Sequence, residues 1–158
     1  MIRPAGPGDL DATWDIYRDA VLNGTAPFYT AAEAAAWVGP APRPDWWAER
    51  MAAATTWIGE DDLGAAGFIS LTGPAHLDFF FVRPRARGTG LARSLYDRFA
   101  IVAADRDEGR MTTFASHLAR RFLERREWVV TETQIAERGG EKLVRFAMEC
   151  AGGQSLSG

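Results

Sequence analysis

The sequence predicts a mixed α and β protein, of the α+β class, built around one central sheet. Three segments with helical spacing come first, and residues 55–82 then form three short apolar segments separated by polar turns. The remainder alternates strand, helix, strand, helix, strand and strand. Because no segment repeats, these elements are expected to share one sheet flanked by helices.

The first helix is predicted in "GDLDATWDIYRDAV", after a short strand in "MIRPA". Leu10, Trp14, Tyr17 and Val21 recur at helical spacing, which indicates one buried stripe. Asp9 stands at the position where an N-cap is expected.

Two short helices follow before the strands begin. In "TAAEAAAW", Thr30 and Glu33 form a capping-box pattern, and Gly39 marks the end of the helix. The Pro-rich "GPAPRPD" separates this helix from a third, "WWAERMAAA", for which Asp45 is the expected cap.

Apolar alternation and turn residues indicate the strands. "TTWIGE" and "AAGFISLT" predict a hairpin joined at "DDLG", and the nearly continuous apolar run "HLDFFFV" predicts a central strand covered on both faces. A helix is expected from about Gly90 to Asp105. "MTTFA" is the next strand, "SHLARRFLERR" the next helix, and "WVVTET" with "EKLVRFAME" a closing hairpin around "ERGG".

Length and composition indicate an ordinary globular chain. With 158 residues, 47% of them hydrophobic and 25% charged, the chain is long enough to bury a core. We expect one domain over residues 1–150 and a flexible tail over residues 151–158. The pI near 5.4 argues against a nucleic-acid-binding role.

Cysteine and histidine usage argues against two further classes. Cys150 is the only cysteine, so no internal disulfide can form, and His76 and His117 are too widely separated to suggest a zinc set. No apolar run approaches the roughly 20 residues that span a membrane, and no secretory signal opens the sequence. We therefore expect a cytoplasmic protein without a metal or a membrane partner.

The stretch "FFFVRPRARGTGLARSLYDRF" carries the strongest functional signal. A strand leads into a turn with two glycines and then into a helix. Five arginines gather there in a chain of net charge −3: Arg83, Arg85, Arg87, Arg93 and Arg98. A phosphorylated ligand is one explanation, and a tight turn beside a solvated basic helix face is the other.

Two well-known phosphate-binding turns do not fit this stretch. A Walker loop needs Gly-Lys-Ser/Thr, which is missing, and a dinucleotide fingerprint needs Gly or Ala where Arg93 stands. A glycine turn directly before a helix can still hold a pyrophosphate, because its N–H groups and the positive helix end face the ligand. Side chains in such a turn would block the approach.

The sequence Arg87-Gly88-Thr89-Gly90-Leu91-Ala92 resembles the Arg/Gln-x-x-Gly-x-Gly/Ala turn of the GCN5-related N-acetyltransferases, the GNAT superfamily. "FVRPRARGTGLARSLY" resembles the second motif of this family, and "TFASHLARRFLERREWVV" resembles its next motif. "YTAAEAAAW" before a Trp-rich helix is similar to a group of bacterial members. The likeness covers roughly residues 1–149.

The resemblance implies a GNAT fold, whose mostly antiparallel sheet splays open between the "HLDFFFV" and "MTTFA" strands. Acetyl-CoA would lie in that opening, with its pyrophosphate on the amides of residues 87–92 and its pantetheine arm along Val82 and Arg83. Arg83, Arg87 and Arg93 would offset the phosphate charge, whereas Arg85 and Arg98 would be solvated. The cofactor-binding residues implied in this way are Val82, Arg83, Arg87, Gly88, Thr89, Gly90, Leu91, Ala92, Arg93 and Ser116.

Asp78, Ser116 and Tyr29 are the candidate catalytic residues. Acyl transfer needs a neutral amine, and Asp78 could accept its proton, because desolvation among aromatic rings makes a carboxylate more basic. Strand alternation would place Asp78 on the same face as Phe80 and Val82. In the alternative, Asp78 points to a loop or holds a backbone N–H. Ser116 would contact the cofactor or only cap a helix, and Tyr29 would line the acceptor pocket or only pack.

Two positions depart from the family pattern. Leu123 stands where the family commonly has a tyrosine that protonates the leaving thiolate. Glu127 stands where the family usually has a helix-ending glycine, so the left-handed cap of this helix is expected to be lost. With a thiol pKa of about 8.5, protonation of the thiolate is worth only roughly 1.4 kcal/mol at pH 7.5, so activity is still expected.

The predicted function is transfer of an acetyl group from acetyl-CoA to a primary amine of a small molecule or peptide. The alternative is a catalytically weakened, acyl-CoA-binding regulatory module with the same fold, as the missing tyrosine suggests. The acceptor pocket would be built by the first two helices, their loop and the last hairpin. Homodimerisation is compatible with such a fold, and no nucleic-acid partner is expected.

Overall fold

The computed structural model of the protein describes residues 1–106 and 109–151, in which a seven-stranded sheet lies between two groups of helices. Apart from Ala151, the tail predicted over residues 151–158 lies outside the described residues.

The strands follow the order β1-β2-β3-β4-β5-β7-β6 across the sheet, and the β4–β5 pair is parallel while the other neighbours are antiparallel. Their bounds are β1 (Ile2–Pro4), β2 (Thr55–Asp61), β3 (Gly64–Thr72), β4 (His76–Val82), β5 (Met111–Ala115), β6 (Val129–Arg138) and β7 (Glu141–Cys150). The helices are α1 (Leu10–Gly24), α2 (Ala31–Val38), α3 (Asp45–Ala52), α4 (Leu91–Ala103) and α5 (His117–Glu124). The predicted α+β class and mostly antiparallel sheet are confirmed.

The sheet opens between β4 and β5. These strands pair at only two positions, His76 with Thr112 and Leu77 with Thr113, although β4 has seven residues. From Asp78 onward the two strands diverge, so the predicted opening is confirmed. It leaves one edge of β4 without a strand partner in the middle of the sheet.

Two hydrophobic cores hold the helices on opposite faces of the sheet. Ile69 of β3 belongs to the core under α4 and α5, and its neighbour Phe68 belongs to the core under α1, α2 and α3. This alternation is what a strand covered on both faces requires. The first core also buries Leu123 and Trp128, and the second buries Trp47, so each helix layer is held by apolar burial.

Helix capping follows the sequence at one site and departs from it at two. The Thr30 hydroxyl accepts from the Glu33 amide at 3.1 Å, and the Glu33 carboxylate accepts from the Thr30 amide at 2.8 Å, so this capping box is confirmed. Asp9 is the N-cap residue of α1 by position, as predicted, but its carboxylate does not bond to the helix amides and forms instead a bidentate ion pair with Arg3 at 2.8 and 3.0 Å. Its Oδ2 atom also accepts from the Gly6 amide at 2.8 Å, so both carboxylate oxygens are already engaged. The Asp45 cap is wrong, because Asp45 is the first residue of α3.

The C-terminus of α5 has a left-handed residue that is not glycine. The Trp128 amide donates to the Leu123 carbonyl at 3.2 Å and the Glu127 amide to the Glu124 carbonyl at 3.3 Å, which are the two bonds of a Schellman motif. Glu127 has φ 67°, so the expectation that this cap would be lost without glycine is wrong. A side chain in this region costs roughly 1–2 kcal/mol.

Replacing Glu127 by glycine is therefore expected to stabilise the protein. Relief of the left-handed strain, less the extra entropy of glycine in the unfolded chain, should raise the free energy of unfolding by about 0.5–1 kcal/mol. For a chain of this length, each kcal/mol raises the melting temperature by roughly 2–4 °C. Urea denaturation of wild type and Glu127→Gly measures the difference. Arg125→Gly, at a residue with φ −68°, is the matched control and should destabilise. An unchanged or lower stability of Glu127→Gly would contradict the strain argument.

Candidate active site

The opening between β4 and β5 contains a cavity of about 540 Å³, here called the turn cavity. Its apolar wall comes from β4 and from the face of α5 that looks toward β4, and its polar wall comes from the glycine turn before α4. It is lined by residues including Phe80, Phe81, Val82, Arg87, Gly88, Gly90, Ala92, Arg93, Ser116, Ala119, Arg121, Phe122 and Arg125.

The glycine turn presents bare backbone to the turn cavity. Gly88 and Gly90 have φ values of 76° and 89°, and no heavy atom lies within 4 Å of a Cβ built at either position. Their amides have no protein acceptor among the described residues, whereas those of Arg87 and Thr89 donate to carbonyls earlier in the turn at 3.2 and 3.4 Å. Of the amides expected to face a ligand, those of Gly88 and Gly90 are thus free, and those of Arg87 and Thr89 are occupied.

Four arginines line the turn cavity, and no carboxylate accompanies them among the described residues. Arg87 and Arg93 come from the turn and α4, as the sequence indicated. Arg121 of α5 and Arg125, the C-cap residue that follows α5, were missed, although their spacing of four residues places them on one helix face. The cavity is therefore strongly positive in a chain of net charge −3.

The side chains of the other three arginines of the stretch lie outside the turn cavity. Arg83 forms an ion pair with Asp19 at 3.1 Å, and Arg85 pairs with Asp61 at 3.0 Å. Arg98 is exposed on α4. Of the predicted cofactor residues, the structure brings Arg87 and Arg93 into the cavity and leaves the side chain of Arg83 outside it, with those of Thr89 and Leu91.

Arg87 also links the turn to the end of α1. Its guanidinium donates to the Gly24 carbonyl at 2.6 Å, and a Cβ at Gly24 would lie 2.3 Å from its Nη2 atom. Burial lowers the pKa of Arg87 below its ordinary value. Glycine at position 24 is therefore required for this contact.

Along the unpaired edge of β4, only every second residue points its backbone amide into the opening. The Arg83 amide donates to the Ala66 carbonyl of β3 at 2.7 Å, so it is not available to a ligand. Since backbone amides alternate in direction along a strand, the Val82 amide points the other way, into the opening. Val82 and Arg83 were both predicted to pair with an extended ligand. Only the amide of Val82 points into the opening, where a ligand could accept its hydrogen bond.

A second cavity, of about 150 Å³, lies on the other side of the opening and is here called the aromatic cavity. Its walls come from α1, the segment before α2, α2, α3, β4, β5 and the β6–β7 hairpin. Its lining includes Tyr17, Tyr29, Trp37, Trp46, Arg50, His76, Asp78, Phe79, Phe81, Phe114, Ser116, Ala136, Arg138, Leu143, Val144 and Arg145.

Asp78 lies in the aromatic cavity because β4 is bulged at this residue. Ser70 of β3 pairs with Phe79 and the next residue, Leu71, pairs with Leu77, so Asp78 is the extra residue on β4. The prediction that Asp78 shares a face with Phe80 and Val82 is therefore wrong.

The sequence suggested a carboxylate surrounded only by aromatic rings, but Asp78 has a charged partner. Arg50 of α3 donates to both of its oxygens, at 2.6 and 3.0 Å, and its guanidinium stacks on the Phe79 ring at 4.4 Å. The Asp78 side chain is only 9% exposed, so this ion pair is shielded on the carboxylate side.

His76 is a residue of the aromatic cavity that sequence reasoning did not select. Its Nδ1 atom lies 2.9 Å from the Thr112 hydroxyl, and its ring packs edge-on against Phe114. Burial lowers the pKa of His76, and the negative charge of Asp78 partly opposes that shift. The ring is therefore neutral near pH 7, the form that can accept a proton.

The Tyr29 hydroxyl connects three parts of the site. It donates to the Val144 carbonyl of β7 at 3.2 Å and accepts from the His117 amide at the start of α5 at 3.3 Å. The ring is 7% exposed and lines the aromatic cavity. Burial raises the pKa of Tyr29, so the hydroxyl keeps its proton in the physiological range.

The two cavities meet at three residues that line both of them: Trp37, Phe81 and Ser116. Ser116 is the N-cap of α5, and its hydroxyl accepts from the Ala119 amide at 3.2 Å. As an acceptor in that bond, the hydroxyl retains its own proton for donation. Capping and contact with a ligand are thus compatible roles.

Leu123 is fully buried in the core beneath α4 and α5 and does not line either cavity as described. The cavity face of α5 is formed instead by Arg121, Phe122 and Arg125. A hydroxyl introduced at position 123 would lie in the core of this fold, away from the junction of the two cavities.

Residues 1–106 and 109–151 contain no group of three or more His, Cys, Asp or Glu side chains that could hold a metal ion. Across the same residues, no helix combines the length and the apolar character needed to cross a membrane.

Comparison with solved structures supports one fold throughout. A structure described as a GCN5-related N-acetyltransferase (aminotransferase, class II) from Rhodopseudomonas palustris has a TM-score of 0.87 at 27% identity, with 96% of this chain and 94% of that one covered. PaiA N-acetyltransferase from Thermoplasma acidophilum, in complex with coenzyme A, gives 0.72 at 16% identity, with 95% and 97% covered. YncA from Salmonella typhimurium, with its cofactor acetyl-CoA, gives 0.63 at 20% identity, with 94% and 91% covered.

Sequence comparison gives the family directly. Among curated proteins, none matches the chain. The acetyltransferase (GNAT) domain family matches residues 25–150, which include the glycine turn, both cavity-lining strands and the closing hairpin. The chain therefore belongs to the GNAT family of acetyltransferases.

Proposed function

We propose that this protein is an N-acyltransferase that moves an acetyl group from acetyl-CoA to a primary amine of a small molecule or peptide. The observation that carries this proposal is the junction of two unlike cavities at Trp37, Phe81 and Ser116. One cavity suits an elongated anionic cosubstrate, and the other suits a small acceptor. A reaction between two bound molecules needs such a meeting point.

The residues of the turn cavity fit coenzyme A. Four guanidinium groups line a cavity to which the described residues contribute no carboxylate, and they match phosphate charge. The free amides of Gly88 and Gly90 can donate to pyrophosphate oxygens. Val82 offers its amide to an extended arm, in the manner of an added strand. When bound, acetyl-CoA supplies an acetyl group whose C–S bond is exchanged for a C–N bond to the amine, with release of the thiol.

His76 and Asp78 are the groups that we assign to proton removal from the amine. His76 is neutral and can accept the proton, provided that its Nδ1–H donates to Thr112 and leaves Nε2 free. Asp78, held by Arg50, then stabilises the imidazolium, because its charge raises the pKa of His76 by more than the charge of Arg50 lowers it. The carboxylate acts with the imidazole rather than as an isolated base.

Ser116 is the group that we assign to the leaving sulfur, and Tyr29 is assigned to the wall of the acceptor pocket. Ser116 lies at the junction and keeps a hydroxyl proton to donate, while Tyr29 holds a proton at neutral pH but spends it on the Val144 carbonyl. Leu123 takes no part, because it is buried in the core. The thiolate is stable enough near neutral pH that one weak donor suffices.

Acetyl-CoA is expected to raise the melting temperature, whereas NAD and ATP should do so much less. At tenfold excess over a micromolar Kd, binding should add roughly 1.4 kcal/mol to the free energy of unfolding. Gly90→Glu should remove the stabilisation, because it places bulk and negative charge in the bare turn. Differential scanning fluorimetry with and without acetyl-CoA measures both effects.

Gly73→Glu is the matched control for this substitution. Gly73 also has a positive φ, 55°, with no heavy atom within 4 Å of a built Cβ, but it lies in the β3–β4 turn outside both cavities. It should lose similar stability and keep the acetyl-CoA shift. A folded Gly90→Glu protein with an unchanged shift would refute the assignment of the turn.

The proton-removal pair predicts non-additive kinetics. Asp78→Asn and His76→Gln should each lower turnover by about 10²-fold, and the double variant should be little worse than either single variant. Thiol release in a screen of amines provides the assay, and the acetyl-CoA melting shift shows that each variant still binds the cosubstrate. Normal turnover in His76→Gln would return the role of base to Asp78 alone. Cosubstrate binding without thiol release from any amine would favour the acyl-CoA-binding regulatory module.

The same pair predicts a pH effect with a defined sign. The acid limb of kcat/KM should lie below about pH 6.5, because burial lowers the pKa of His76. Asp78→Asn removes a charge that raises this pKa, so the limb should move to lower pH. A limb that stays in place in Asp78→Asn would show that the two groups are not coupled.

A further inference from the structure

The charge on the wall of the aromatic cavity indicates which acceptors it can bind. Three guanidinium groups, those of Arg50, Arg138 and Arg145, line it together with one carboxylate, that of Asp78. Asp78 is engaged by Arg50, so that pair is close to neutral. The two remaining cations, Arg138 and Arg145, have no ion-pair partner in the part of the chain that the structure describes.

The β6–β7 hairpin holds Arg138 and Arg145 on one face. Arg145 is paired in register with Gln134, four residues before Arg138 on β6, so the two arginines lie about 13 Å apart along the hairpin. Ala136 and Leu143 form the register pair between them, and the small alanine leaves room above the sheet. Two arginine side chains can reach toward one group across that distance.

Existing contacts orient the Arg145 guanidinium without neutralising it. Arg145 donates to the Gln134 amide oxygen at 2.8 Å and stacks on the Phe114 ring at 4.4 Å. Arg138 lies near the Tyr17 hydroxyl, where its charge opposes the rise in the Tyr17 pKa that burial causes. Neutral partners such as Gln134 and Phe114 hold the Arg145 guanidinium in place and leave its charge for a ligand.

The hairpin tip that carries Arg138 is itself fixed against α2. A Cβ at Gly139, which has φ 53°, would lie 3.1 Å from the Cβ of Ala36. Close packing of the turn on the helix therefore sets the position of the adjacent Arg138. The arginine belongs to a defined wall of the cavity.

The geometry points to an acceptor that is both an amine and an oxyanion, with a small α-amino acid as the simplest example. This inference rests on the proposed function and names its substrate class. The carboxylate would bind to Arg138 and Arg145, and the amine would face the junction with the turn cavity. Polycationic acceptors, such as polyamines and lysine-rich peptides, would be repelled by the same wall. The volume of about 150 Å³ and the aromatic rings favour compact acids with apolar side chains.

The test compares amino acids with matched amines that lack the negative charge. Each of the twenty amino acids is assayed for thiol release from acetyl-CoA beside its carboxamide and its decarboxylated amine. We expect kcat/KM for the best acid to exceed that of both neutral analogues by at least tenfold, mainly through KM. Arg138→Gln and Arg145→Gln should each raise KM for the acid by about tenfold and leave KM for the carboxamide unchanged.

Arg98→Gln is the matched control, because it removes one exposed arginine from α4 outside both cavities. Arg98→Gln should change neither KM for the acid nor KM for the carboxamide. Carboxamides or decarboxylated amines that are used as well as the acids would overturn the inference while leaving the acyltransferase function intact. The inference would also be overturned if Arg138→Gln and Arg145→Gln raised KM equally for the acid and for the carboxamide.

A binding measurement separates failure of this inference from failure of the proposed function. Each acid and its carboxamide are titrated calorimetrically into the protein saturated with coenzyme A. Binding of an acid at least tenfold tighter than its carboxamide, lost in Arg138→Gln, would support the inference even if no thiol is released. No difference between any acid and its carboxamide would overturn it.

Discussion

The early divergence of β4 from β5 is the constraint on which the rest of the structure depends. After two paired positions the central strand of the sheet loses its neighbour, and its polar backbone edge must be satisfied by something other than a strand. The fold meets this requirement by placing a ligand-sized opening there. Two cavities, a glycine turn and the start of α5 all converge on that opening.

The bulge at Asp78 divides the opening into two chemical environments. Without the extra residue, Asp78 would face the same side as Phe80 and Val82, next to the positive turn cavity. With it, the carboxylate faces α3 and meets Arg50. One inserted backbone unit thus keeps the acid away from the arginines at α5 and places it in the aromatic cavity.

Much of the fold and half of the site were predictable from the sequence. Periodicity and capping patterns located the elements, and the turn from Arg87 to Ala92 located one wall of the turn cavity, because both signals are local in sequence. The bulge, the partner of Asp78 and the charge of α5 were not predictable, since each depends on elements brought together by folding. His76 was passed over for the same reason, because a histidine becomes half-buried and neutral only through its neighbours in space.

Glu127 shows that the backbone conformation of a family motif can be kept when its usual residue is replaced. The backbone at the end of α5 adopts the left-handed turn with a glutamate where relatives of this chain are expected to carry glycine. What the architecture demands at this position is a dihedral angle, and residue identity is only the usual means of reaching it. A Glu codon differs from a Gly codon by a single base, so the ordinary residue is one mutation away. A search that requires the glycine would discard a chain whose backbone already satisfies the motif.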